Sequence, residues 1–200
     1  MRKALQQFDE NLQRSRDMGT LAVAVGQITT SAVDVTDMWR AQIVLGVSAL
    51  DYFVHELTRH GMIEISKGSR PKTDAYSRFT LPLSAIDHAL GGQPHESWLG
   101  DVVRERHSWL SFQQPDKIAD ALRLISGVKL WEEVGNYMGQ PAKDIKLRLE
   151  LIVDRRNKIA HEADMDPANP GFRWPISESM ANDSVAFVEQ VGHAIFETVV

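Results

Sequence analysis

The sequence predicts an all-α, single-domain helical bundle, and three observations carry that reading. Apolar residues recur at three- and four-residue steps along most of the chain. Long alternating apolar–polar runs are missing, and no Asn-Gly or Asp-Gly hairpin turn occurs. The 200 residues, 43% hydrophobic and 24% charged, suffice for one core and leave no room for a second sizeable domain. The expected domain is therefore residues 1–200.

Taken in order, the first amphipathic run starts near Arg2, with Leu5, Phe8 and Leu12 in step, and resumes through Val23 and Ile28. Asp34 is an N-cap candidate for a long helix over about 35–60, which Gly61 would end. Its middle, IVLGVSALDYFV, is apolar on nearly every face and so predicts a central, buried helix. Ser66 to Thr80, SKGSRPKTDAYSRFT, reads as an exposed loop carrying Lys67, Arg70, Lys72 and Arg78. Helices follow near 81–90, 95–112 and 115–126, with Pro115 in a first turn. Trp131 belongs to a short helix closed by Gly139, and Pro141 opens a helix over about 141–161. A proline-rich loop, DMDPANPGFRWP, leads to a last helix with Val185, Val188, Val191 and Ile195 inward.

Composition narrows the functional classes. With no cysteine, disulfides, thiolate ligands and cysteine nucleophiles are excluded. The longest uncharged apolar run, Ile43 to Leu50, is too short to span a bilayer. Arg2 and Lys3 are not followed by an apolar signal core, so a cytoplasmic protein is expected. A net charge of −5 argues against indiscriminate coating of nucleic acid but allows a small basic site on an acidic body.

Such a site is visible in KDIKLRLELIVDRRNKIAH, Lys143 to His161. Six cations against three anions make it locally +3, leaving the rest of the chain near −8. At 100° per residue, Ile145, Leu149, Ile152, Val153 and Ala160 share one stripe, with Arg156 in its middle. Glu150, Asp154, Asn157 and His161 form a polar stripe about 130° away, and Leu147 and Leu151 lie beyond it. An arginine on an apolar stripe needs partners. Asp51, the only formal charge in Ile43–Val54, is one candidate, and an interface or cleft is the other; Asp51 itself could pair with Arg156 or with His55. Asn157 and His161, at i and i+4, share a face, whereas Arg156 and His161 are about 140° apart.

Arg156-Asn157 followed by His161 resembles the R-x(4–6)-H motif of the HEPN superfamily, with a polar residue after the arginine. LIVDRRNKIAHE at the end of a penultimate long helix is similar to the HEPN motif context. VSALDYFVHEL and SFQQPDKIADALRLISG look like parts of the RiboL-PSP-HEPN branch. The resemblance implies a bundle that dimerises so that two motifs share one cleft. It also implies a metal-independent endoribonuclease that uses the RNA 2′-hydroxyl as nucleophile, acting as a toxin or as an antiviral or stress effector. No cofactor is implied. An antitoxin or sensor would be a separate chain. Arg156 and His161 would then be catalytic, with Asn157 orienting one of them. Arg155 also fits the spacing and joins Asp51 and Asp154 as a supporting candidate. Lys158, Lys67, Arg70 and Lys72 are candidates for holding RNA. Ala163 stands where some HEPN toxins carry a tyrosine modified by a partner enzyme, so that mode of neutralisation does not carry over. The alternative is a non-catalytic HEPN interaction or nucleotide-sensing module; a third reading is a helical structural subunit.

Other motifs carry less. His55 and His60 are spaced i,i+5, not the i,i+4 of HExxH, which argues against zinc. His88, His95, His107 and His193 are isolated, Gly91-Gly92 lacks a phosphate-loop context, and the five tryptophans are scattered as core or interface residues.

Overall fold

The computed structural model describes residues 1–30 and 32–200, and among them it is all-helical. Nine helices run in order: α1 Arg2–Ile28, α2 Thr36–Ser66, α3 Asp74–Ser77, α4 Leu83–Leu90, α5 His95–His107, α6 Pro115–Leu122, α7 Leu130–Met138, α8 Ala142–Glu162 and α9 Glu178–Val199. Among the described residues, no helix is long and apolar enough to cross a membrane.

The architecture follows from α2, whose middle is apolar on most faces and must be covered on most sides. α1, α9, α5, α8 and α6 all pack on it. α1 turns Ala4, Phe8, Leu12, Ser15, Gly19 and Ala22 inward, a sequence of three- and four-residue steps that makes it one continuous helix. Ile28, expected on that stripe, is 82% exposed because α1 ends there with nothing packed over it. α9 buries Val185, Val188, Val191 and Ile195 as expected, and Ser177 caps it by accepting from the Met180 amide. Gly139 ends α7 in the left-handed region, at φ 63°.

Both ends of α2 differ from expectation, and α5 and α6 end earlier than expected, at His107 and Leu122 rather than near 112 and 126. Asp34 is not itself the N-cap of α2. Val35 occupies that place, and the Asp34 carboxylate accepts from the Thr36 amide at 2.9 Å. Gly61 does not end α2, which continues to Ser66. The glycine is there for space: a Cβ at this position would stand 2.6 Å from Ile125 Cγ2. Gly61→Ala should therefore destabilise the fold by about 1–3 kcal/mol through overpacking, despite the better helix propensity of alanine. Urea unfolding would check this, since an exposed Gly→Ala in a helix stabilises instead.

A second strained point is His107, which is 6% exposed at the end of α5. Its ring packs edge-on against Phe112 at 5.3 Å and near His55 at 6.2 Å. Burial, aided by the neighbouring His55, pushes its pKa down to about 4. Between that value and the ordinary ~6.5 the unfolded chain binds a proton that the folded one refuses. Stability from this group is complete above pH ~6.5 and lost as pH falls toward 4, by about 2–3 kcal/mol at pH ~4.5. Burial also lowers the pKa of His60, which adds to the same trend. Chemical unfolding at neutral pH and pH ~4.5 should show this slope, and His107→Leu should flatten it.

Candidate functional site

α8 presents the basic segment in two halves. Its first turns bury Ile145, Leu149, Ile152 and Val153 against the bundle. From Asp154 onward the helix emerges, and Ala160, expected on the buried stripe, is exposed because no element covers the last turn. Arg156 is half-buried at the point of emergence, while His161 is exposed.

Five of the six cations of this segment, all but Lys143, have distinct surroundings. Arg148 lies over the Phe187 ring at 4.2 Å, Lys146 reaches Asp116 at 3.4 Å, and Lys158 pairs with Asp154 at 2.9 Å. The Asp154 hydrogen bond and charge raise the Lys158 pKa; the pair lies at the water-exposed surface, where a ligand can exchange it. Arg155 turns away to Asp164. Arg156 has no carboxylate partner among the described residues, and its buried Nε has no acceptor. Its one polar contact is Nη1 donating to Asn157 Oδ1 at 2.9 Å. That contact joins neighbours on the helix; Asn157 shares a face with His161, while Arg156 and His161 keep the separation of about 140° given by the helical wheel. On another side of α8 a cleft of about 500 Å³ is lined by Ile159, Ala163, Val44 and Leu45 together with Asp37, Arg40 and Arg173, and not by Arg156, Asn157 or His161.

Asp51 is not the partner of Arg156. Its carboxylate accepts from the Phe112 amide at 2.5 Å and the Gln113 side chain at 3.3 Å, with His55 at 3.8 Å. It thus fastens the segment after α5 to α2 and takes no part in the site. The residues that looked briefly like a zinc motif are occupied separately. Glu56 accepts from Arg59 through both oxygens, and His60 lies 3.0 Å from Arg59 Nη2. Burial pushes the Glu56 pKa up, but the Arg59 hydrogen bond and charge outweigh it and leave the pKa below its ordinary value. Among the described residues no three His, Cys, Asp or Glu side chains cluster as a metal site.

A clamp that the sequence reading missed sets the position of His161. Just beyond it Ala163 and Asp164 both adopt positive φ, 52° and 59°. The Asp164 amide closes the helix on Lys158 O at 3.0 Å. Two consecutive non-glycine residues in this region are strained by about 1–2 kcal/mol each and persist only where the surroundings hold them. Here Asp164 is fully buried, and its Oδ2 accepts from Arg40 Nε at 2.6 Å and Arg155 Nη2 at 2.8 Å. Arg40 and Arg155 also donate to Trp174 O, tying in the following loop. Burial lowers the Arg155 pKa while Asp164 opposes it, the signature of a structural ion group. Arg155 is therefore a positioning residue, distinct in role from Arg156.

The loop cations lie elsewhere. α8 ends beside Arg40, near the start of α2, whereas Lys67, Arg70 and Lys72 follow its end at Ser66, about 40 Å away along the axis. Lys67 pairs with Glu96, and Arg70 donates to the carbonyls of Ile125 and Val199 at 3.1 and 2.8 Å. Within one protomer they cannot line a cleft with His161.

Comparisons with family models, curated proteins and solved structures return no match for this chain. The functional reading therefore rests on the geometry of α8.

Proposed function

We propose that the chain is a HEPN-type, metal-independent endoribonuclease that acts as a homodimer. The observation that carries this reading is the Arg156–Asn157 hydrogen bond beside an exposed His161, on an arginine with no carboxylate of its own among the described residues. A histidine side chain titrates near neutral pH and suits general acid–base work. A planar, permanently charged guanidinium suits the charge that develops on a phosphorane-like transition state.

One histidine takes the proton from the RNA 2′-hydroxyl, and O2′ attacks phosphorus. The P–O5′ bond breaks, and a second histidine returns a proton to O5′, leaving a 2′,3′-cyclic phosphate and a 5′-hydroxyl. A two-fold pair supplies both groups from one helix, His161 and His161 of the partner subunit. Exposed Leu147 and Leu151 lie on α8 in a row that Asp154, Lys158 and His161 continue at three- and four-residue steps, which favours an interface along this helix. As a small basic feature on an acidic chain, such a site suits a cytoplasmic toxin or effector restrained by another protein.

Total RNA incubated with the purified chain in excess EDTA tests the reading. The expected result is cleavage with cyclic-phosphate ends, blocked by a 2′-deoxynucleotide at the cut position. RNA of every class surviving intact would instead favour the non-catalytic interaction module.

A further inference from the structure

At the other end of α2 lies a cleft of about 840 Å³, walled by residues 70–78, the end of α6, the connection to α7 and the end of α9. Five cations line it, Arg70, Lys72, Arg78, Arg123 and Lys129, with Asp74 and Glu132 in the lining and Glu64 and Asp120 just outside it as partners of Arg70 and Arg123. The charge left without a partner is that of Lys72 and Arg78, on a chain of net −5. Arg70 is rigid, held by the Ile125 and Val199 carbonyls and facing Glu64 at 3.5 Å. Arg123 and Lys129 pair with Asp120 and Glu132 on the water-exposed surface, where such pairs are weak and readily exchanged. Lys72 and Arg78 have no carboxylate partner among the described residues.

The connection to α7 adds to this. Gly127 leaves open space where a Cβ would stand. α7 has no side-chain cap, and the amides of Leu130 and Trp131 find no acceptor among the described residues. The floor is apolar, with Leu122 and Ile125 buried beneath it. Like charges gathered in this way repel unless an anion bridges them. A lone phosphate would fill little of the space, whereas the volume is typical of a small-molecule site.

We propose that this cleft binds a phosphorylated small molecule of nucleotide size, a nucleoside polyphosphate. Its phosphates would lie on Lys72, Arg78 and Lys129, and its flat remainder over Leu122 and Ile125. The site is about 40 Å along α2 from His161 and does not depend on the ribonuclease reading.

Calorimetric titration of the full chain with ATP, pyrophosphate and adenosine tests this. ATP should bind, pyrophosphate more weakly, and adenosine not at all. Lys72→Ala with Arg78→Ala, both exposed, should weaken ATP by roughly tenfold or more with the melting temperature unchanged. His161→Ala should leave ATP binding as it was. The proposal is overturned if ATP fails to bind at millimolar concentration, or if the double variant binds as well as the parent. It is equally overturned if a 12-nucleotide RNA binds there and ATP does not displace it.

Discussion

Asp164→Ala should lower the unfolding free energy by about 3–5 kcal/mol, the range for removing one partner of a buried ion group. The size follows from what is left behind. Arg40 is 5% exposed, and Arg155 is half-buried and already opposed by desolvation. Without the carboxylate both guanidiniums stay in a poorly hydrated place, with the Trp174 and Pro175 carbonyls as acceptors and Asp37 facing Arg40 at 3.6 Å. A domain of this kind has only about 5–15 kcal/mol in total, so the variant should be marginal at ambient temperature. Urea unfolding measures the loss directly. Replacing Arg40, Arg155 and Asp164 together by apolar residues of similar volume should recover much of it, because no orphaned charge then remains. A loss below about 1 kcal/mol for Asp164→Ala would mean that the ion group is hydrated and that its clamp role is misassigned.

His161→Ala should reduce RNA cleavage by about 10²–10⁴-fold, the usual contribution of general acid–base catalysis. Arg156→Ala should reduce it by about 10²–10³-fold through lost charge stabilisation. Arg156→Lys should recover little, since a lysine cannot keep the planar contact with Asn157 while facing a phosphate. His161→Ala should not alter stability much, because His161 is exposed and makes no hydrogen bond among the described residues. Rates measured on one defined RNA, alongside melting temperatures, separate this from unfolding. Equal cleavage by parent and His161→Ala would remove His161 from the mechanism.

The helices were legible because their signals are local. Period, Pro115 in a first turn, Gly139 at a left-handed end and the apolar middle of α2 act within a few residues of one another. Gly61 misled for the same reason: its local meaning is an ending, while its use is a close approach to Ile125, 64 positions further on. In the site, the convergence of Asn157 and His161 could be read from i,i+4 geometry. The partners of Arg155 could not. Arg40 and Asp164 are 124 residues apart, and no spacing rule connects them. Of the two partners expected for Asp51, His55 does stand 3.8 Å away and Arg156 does not pair with it. The amide of Phe112, which Asp51 accepts from, leaves no mark in the sequence. The loop cations were legible as exposed charge, yet their distance from α8 depends on how α2 is oriented.

The clamp also fixes when the motif can take shape. Asp164 bonds a residue that left the ribosome 124 positions earlier, and Trp174 must follow before the last carbonyl is in place. α9, which covers both α1 and α2, comes later still. Contacts this far apart form after local ones, since the loop between them must close first. During synthesis the end of α8 therefore stays unclamped until nearly the whole chain has emerged. The Arg40 bond to Asp164 is thereby set well after the local hydrogen bonds of α8 have closed.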